Sequence, residues 1–144
     1  MKKPDQAVEC FTKGYNCAQA VFSTFAPSLG LEERKALNIA CPFGGGMARM
    51  QETCGAVTGA FLVLGLKYGE NTPDDPSAKE HTYALVLEFS ENFRALHGSL
   101  DCRTLLGADM NTDEGARFIK EQKLFRTRCP QFVSDAVSIV EELL

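Results

Sequence analysis

Apolar residues recur three and four positions apart along most of the chain, a spacing that is typical of amphipathic helices. No segment shows the alternation of apolar and polar residues that marks a half-buried strand. The predicted helices are Pro4–Lys13, Cys17–Phe25, Glu32–Ala40, Cys54–Lys67, Pro76–His97, Leu100–Leu106, Asp113–Phe125 and a last one that begins at Pro130. The pattern therefore predicts an all-α fold, a compact bundle of about six to eight helices in a single domain over residues 1–144.

The helix predicted over Cys54–Lys67 is apolar on nearly all sides, and Thr53 is its candidate N-cap. Such a helix is stable only where neighbours cover every face, so we place it at the centre of the bundle. Three successive glycines precede it and predict a loop over Phe43–Met47 rather than a regular element.

Composition narrows the class of protein. With 144 residues, 44% of them apolar, the chain can build a core without disulfides. The net charge is −4 and the basic residues are scattered, which argues against a nucleic-acid partner. No apolar run reaches the roughly 18 residues of a membrane span, and no apolar stretch typical of a signal peptide follows the N-terminal lysines. We expect a cytoplasmic protein, in a compartment where clustered cysteines are more often metal ligands or redox-active thiols than structural bridges.

Four of the six cysteines share one kind of position, the first turn of a predicted helix. They are Cys17, Cys54, Cys102 and Cys129. Unpaired backbone N–H groups and the positive end of the helix dipole lie there, and both favour a thiolate over a thiol. A dipole contribution of about 0.3 to 1 kcal/mol would lower a cysteine pKa by up to about one unit. The shared position predicts thiolate chemistry at these four residues.

The other two cysteines fit this pattern less well. Cys10 lies on the apolar side of the first predicted helix and is expected to pack there. Cys41, at a helix end, is equally compatible with packing and with chemistry. The chain has no CxxC motif, so it indicates neither a thioredoxin-type site nor a paired-CxxC zinc ribbon.

Glycines lie beside two of the four cysteines and are candidates for a binding role. Gly44, Gly45 and Gly46 could bring backbone amides close to sulfur or to a bound anion, or could simply form a tight connection. Gly55 follows Cys54 and allows another backbone to approach, which plain helix packing also explains. We predict these four glycines as cofactor-binding residues.

Several motifs along the chain resemble one family. They are Asn16–Val21, Phe43–Met47, Cys54–Gly59 (the CGAxxG motif), Leu64–Gly69, Asp101–Gly107 and the late Cys129. In this order they are similar to the redox-active protein family named for its cysteine pattern, C_GCAxxG_C_C. The resemblance implies a redox-active protein whose four defining cysteines are Cys17, Cys54, Cys102 and Cys129, and whose genes often occur beside transporter genes.

Two mechanisms remain open for four thiolates in one place. In the first, all four are metal ligands, because a cation relieves their mutual repulsion and all-thiolate sets suit zinc or an iron–sulfur cluster. The redox character implied by the resemblance favours the iron–sulfur cluster, used for electron transfer or sensing. In the second, the same four are catalytic thiols of a thiol–disulfide oxidoreductase or thiol relay.

A third possibility is a transporter-associated interaction module that hands over a soft metal ion. The expected partners are an unidentified redox partner, a transporter-associated protein and, through apolar residues left on the outer helices, a second copy in a homodimer.

Overall fold

The computed structural model covers residues 1–144 and contains helices but no strand, which confirms the all-α prediction. Eight helices have five or more residues, and two further elements, α4 and α9, are single turns. Their bounds are α1 Lys3–Thr12, α2 Cys17–Phe25, α3 Glu33–Ala40, α4 Gly44–Met47, α5 Gly55–Tyr68, α6 Ser77–His97, α7 Cys102–Leu106, α8 Asp113–Glu121, α9 Leu124–Thr127 and α10 Cys129–Leu143.

The apolar helix α5 lies at the centre of the bundle, as predicted. It packs against α2, α6 and α10, and its residues from Gly55 to Ala60 are all buried. A Cβ atom on Gly59 would lie 2.9 Å from the backbone oxygen of Ala18, so glycine is what lets α2 and α5 pack this closely. No helix is both long enough and apolar enough to cross a membrane.

Capping side chains fix where several helices begin. Asn16 and Gln19 form a capping box at the start of α2, each side chain accepting a hydrogen bond from the other residue's backbone N–H at 2.9 Å. Thr112 caps α8 by accepting a hydrogen bond from the Gly115 backbone N–H. At α7 the cap is Asp101, which accepts from the Thr104 backbone N–H.

The helix predicted over Asp113–Phe125 is broken in two. Lys123 adopts a left-handed conformation with φ of 54°, which ends the helical run and starts α9. Ile119 and Leu124 are both buried in one small cluster, although a spacing of five residues would place them about 140° apart on a continuous helix. The break turns Leu124 back toward the side on which Ile119 is buried.

The core has two parts, and the cysteines lie where they meet. Cys54 belongs to the large cluster built around α5. Cys102 and Cys129 belong to the small cluster with Leu106, Ile119 and Leu124. Cys17 packs against both clusters, so the candidate residues stand on the seam between them.

Candidate thiol site

The N-terminal ends of α2, α5, α7 and α10 converge on one cavity of about 430 Å³. All four predicted cysteines line it: Cys17, Cys54, Cys102 and Cys129. The four predicted glycines, Gly44, Gly45, Gly46 and Gly55, line it as well. We call this space the thiol cavity.

Cys54 lies one position earlier relative to its helix than predicted, because the N-cap of α5 is Cys54 itself and not Thr53. The nearby backbone N–H groups of Ala56 and Val57 act to lower the pKa of its thiol. Burial nevertheless raises the pKa of the Cys54 thiol from its ordinary 9.0 to about 12, with the neighbouring cysteines adding to the effect. Cys54 is therefore a neutral thiol at pH 7, and the predicted thiolate is wrong at this position.

Cys102 is the first residue of α7, but the amides of that turn already have partners. The Cys102 backbone N–H donates to the oxygen of Glu52 at 2.7 Å, and the Thr104 N–H is capped by Asp101. Burial, together with the charges of Cys129 and Asp101 and against the effect of Gln51, raises the pKa of the Cys102 thiol to about 11. The predicted thiolate is wrong here too, since burial outweighs the helix terminus.

Cys17 and Cys129 form a hydrogen-bonded pair across the cavity. The Cys17 thiol donates to the Cys129 sulfur, which lowers the pKa of Cys129 against the opposing effect of burial. The same bond raises the pKa of Cys17 well above its ordinary value. Burial and the charges of the other cysteines are the smaller causes of this increase. The pair is thus an acidic thiol, Cys129, beside a thiol that keeps its proton, and the expected Cys17 thiolate is wrong.

Cys129 also begins its helix differently from the prediction. It is the first helical residue of α10, after Arg128, rather than an extended N-cap. The Arg128 guanidinium donates to the backbone oxygens of Leu105 and Leu106 at 3.1 and 2.9 Å, so it holds the end of α7 against the start of α10.

The glycines give the cysteine side chains room. A Cβ on Gly46 would lie 2.8 Å from the Cβ of Cys102, and one on Gly55 would lie 3.2 Å from the Cβ of Cys17. Gly44 faces the Asn16 side chain closely enough that no Cβ would fit. That these glycines contact a cofactor stays a prediction. The structure shows that they pack closely against residues that line the thiol cavity.

The segment that carries these glycines is a left-handed turn. From Gly45 to Arg49 every φ is positive, including 67° at Met47, 52° at Ala48 and 66° at Arg49. For residues other than glycine this region costs on the order of 1 to 3 kcal/mol each, and such strain concentrates at functional sites. We call residues 45–49 the left-handed turn.

Gln51 is a site residue that sequence reasoning missed. It is 2% exposed, has φ of 55°, and accepts a hydrogen bond from Met110 N–H at 2.7 Å while donating to Ala108 O at 2.9 Å. It also bonds the Cys102 thiol. A lone glutamine between Met50 and Glu52 carries no sequence signal of burial, so only its long-range partners reveal it.

The remaining cysteines divide as their sequence context suggested. Cys10 lies outside the thiol cavity, with its sulfur 3.8 Å from the Ser23 hydroxyl. Cys41 is exposed and lines the cavity, and its backbone oxygen accepts a hydrogen bond from the Asn16 side chain. No group of three or more His, Cys, Asp or Glu side chains is arranged to hold a metal ion.

Fold and site together define a small all-α protein with clustered thiols at the convergence of four helix ends. The family described as Putative redox-active protein (C_GCAxxG_C_C) matches residues 15–143, nearly the whole chain. The chain belongs to this redox-active family. No curated protein and no solved structure matches it.

Proposed function

We propose that the protein is a thiol–disulfide oxidoreductase in which Cys129 attacks and Cys17 resolves. The observation that carries the proposal is that both side chains line the thiol cavity at the starts of α2 and α10. The pKa lowered at Cys129 and raised at Cys17 supports it. Disulfide exchange needs one thiolate to attack and a neighbouring thiol to complete the reaction. The lowered pKa at Cys129 and the raised pKa at Cys17 support that division of roles.

The exchange balances with a small disulfide as the oxidant. The Cys129 thiolate attacks one sulfur of the substrate disulfide, forming a mixed disulfide and expelling the other sulfur as a thiolate. Cys17 then loses its proton and attacks the Cys129 sulfur, which forms the Cys17–Cys129 disulfide and expels the second substrate thiolate. The protein loses two electrons, and the substrate leaves as two thiols.

Cys54 and Cys102 support this chemistry by staying neutral. Two more thiolates next to Cys129 would repel its charge and raise its pKa. Burial keeps both thiols protonated at neutral pH. Among the four cysteines, only Cys129 has a lowered pKa. In the proposed reaction neither of them attacks the substrate.

A thiol count and a disulfide map test the proposal. The reduced protein is treated anaerobically with hydroxyethyl disulfide, alkylated, digested and analysed by mass spectrometry. We expect the loss of two thiols and a peptide linking Cys17 to Cys129. Cys10→Ser, which lies outside the thiol cavity, should give the same result. A disulfide between any other two cysteines, or no loss of thiols, would overturn the proposal.

A metal centre is the second candidate, because four cysteine side chains line one cavity and all-thiolate sets suit zinc or an iron–sulfur cluster. The donor chemistry fits, but the arrangement does not, since no three of the side chains are placed to hold one ion. Loading would therefore require the cysteine side chains to turn toward a common point. Iron and zinc analysis of anaerobically purified protein, with Cys54→Ser as the depleted variant and Cys10→Ser as the matched control, tests this candidate.

The setting of the reaction is proposed on the same basis. All six cysteines are free thiols. A reducing compartment such as the cytoplasm keeps thiols in this state, so we propose it as the setting. The transporter-associated partner and the homodimer stay predictions.

A further inference from the structure

Apart from its cysteines, the thiol cavity has one ionic side chain in its wall, and that side chain is positive. Apart from the cysteines, its polar side chains are Asn16 and Arg49, and no Asp, Glu or Lys lines it. The ion pairs of the structure involve other residues, so the Arg49 guanidinium has no carboxylate partner. In a chain whose net charge is −4, an unpaired cation among the residues that line this cavity is a distinctive feature.

Arg49 is held in place by its backbone. It is the last residue of the left-handed turn, its N–H bonds Gly44 O at 3.3 Å, and its own carbonyl oxygen accepts from the Asn111 side chain at 2.8 Å. Its side-chain stem packs on Gly45, where a Cβ would lie 3.0 Å from Arg49 Cγ. The strained turn therefore fixes the backbone of Arg49 and the stem of its side chain at the cavity lining.

The rest of the wall is apolar. Phe11, Leu105, Leu106, Met110, Phe125 and Phe132 line it. A volume of about 430 Å³ falls within the roughly 300 to 1,000 Å³ that is usual for small-molecule sites. A wholly hydrophilic thiol would gain nothing from these side chains, whereas an aliphatic chain would be buried by them.

We propose that the thiol cavity binds a small aliphatic dithiol or disulfide that carries a carboxylate, an assignment that rests on the proposed oxidoreductase function. The carboxylate pairs with Arg49, the aliphatic chain lies on the apolar wall, and the sulfurs face Cys129. A ligand thiolate attacks the Cys129 sulfur of the oxidised protein and expels Cys17, which takes up a proton. The second ligand thiolate then attacks the ligand sulfur of the mixed disulfide, releases Cys129 and closes the ligand disulfide.

Dihydrolipoate and dihydrolipoamide test this assignment, because they share the dithiol and the aliphatic chain and differ in the carboxylate. The rate at which each reduces the Cys17–Cys129 disulfide is measured by acid quench and mass spectrometry at subsaturating concentration. We expect dihydrolipoate to react about tenfold faster, the ratio that about 1.4 kcal/mol of charge-assisted hydrogen bonding produces. Arg49→Gln should bring the ratio close to one, and Arg49→Lys should keep most of it.

Arg126→Gln is the matched control, since Arg126 is exposed and lies outside the thiol cavity. It should leave the preference for dihydrolipoate intact. Equal rates for the two probes in the unmodified protein, or a preference that survives Arg49→Gln, would overturn the ligand assignment while leaving the oxidoreductase proposal standing.

A binding measurement keeps the two proposals separable. Calorimetry of lipoate and lipoamide with Cys129→Ser needs no exchange chemistry, so it gives a result even if the disulfide never forms. We expect lipoate to bind about tenfold more tightly than lipoamide, and the difference to vanish when Arg49→Gln is added. Equal affinities would contradict the assignment.

Discussion

At the scale of single residues, burial and local hydrogen bonds decide the charge of each cysteine. A helix terminus favours a thiolate by about 0.3 to 1 kcal/mol. Raising the pKa of Cys54 from 9.0 to about 12 corresponds to on the order of 4 kcal/mol in the opposite direction. Burial therefore outweighs the dipole, and the hydrogen bond from Cys17 is what makes Cys129 acidic.

The rates at which the cysteines are alkylated should reflect these differences in pKa. We expect iodoacetamide to modify Cys129 faster than Cys54 or Cys102 at pH 7, because the thiolate is the nucleophile. Cys17→Ala removes the donor, so the pKa of Cys129 should rise and its alkylation at pH 7 should slow. Mass spectrometry of quenched samples across a pH series measures both effects.

Cys10→Ser is the control for this series, because Cys10 lies outside the thiol cavity. It should leave the pH profile of Cys129 unchanged. Fastest alkylation at Cys54, or an unchanged Cys129 rate in Cys17→Ala, would show that the hydrogen-bonded pair is misassigned.

The raised pKa of Cys54 predicts a loss of stability in alkali. Below pH 9 both folded and unfolded chains keep this proton, and the full stability is present. Between pH 9 and about 12 the unfolded chain loses the proton while the folded chain retains it, so unfolding is favoured by up to about 1.4 kcal/mol per pH unit. Urea denaturation of Cys54→Ser, whose hydroxyl does not ionise in this range, should show a shallower decline above pH 9. Parallel declines for the two proteins would contradict the buried neutral thiol.

At the scale of elements, the left-handed turn and the N-terminus of α7 are fitted together through Gly46. An alanine there would place its Cβ 2.7 Å from Gln51 Cα and 2.7 Å from Glu52 N, at a φ of 66°. Both neighbours are backbone atoms that cannot turn away. We expect Gly46→Ala to lower the free energy of unfolding by about 2 to 4 kcal/mol, from overpacking together with the left-handed strain.

Gly65→Ala is the matched control, because Gly65 is helical and a Cβ there meets nothing within 4 Å. It should stabilise the protein by roughly 0.5 to 1 kcal/mol. Urea denaturation measures both variants. Similar stabilities for the two would mean that the turn adjusts without resistance.

The sequence predicts elements well where a local signal is strong and poorly where distant contacts decide. Asn16 and Thr112 are found as caps because their side chains act within their own first turn. The break at Lys123 was missed because it serves the burial of Leu124 with Ile119. Gln51 was missed for the same reason, since its partners Ala108 and Met110 are nearly sixty residues away.

At the scale of the whole molecule, four helix ends meet although their cysteines are spread from residue 17 to residue 129. Helical periodicity predicts the bundle and its central helix, because burial of an apolar face has a direct sequence signature. The meeting of four helix N-termini at one cavity has no such sequence signature. The chain matches the family over residues 15–143, and the packing of α2, α5, α7 and α10 brings the four cysteines to one cavity.

A disulfide between α2 and α10 would connect distant parts of the chain. Linking Cys17 to Cys129 closes a loop of about 110 residues, which should stabilise the fold by roughly 4 to 5 kcal/mol through the entropy of the unfolded chain. Urea denaturation of reduced and oxidised protein should show this difference. Cys129→Ser, treated in the same way, should show none, and an oxidised protein no more stable than the reduced one would place the disulfide elsewhere.

The most direct test of the Cys129–Cys17 relay is to remove the resolving thiol and weigh the product. Cys17→Ser treated with a small excess of hydroxyethyl disulfide should retain one mercaptoethanol adduct, mapped to Cys129, whereas the unmodified protein should retain none and lose two thiols. An adduct on another cysteine in Cys17→Ser, or a stable adduct on the unmodified protein, would contradict the division of roles between these two residues.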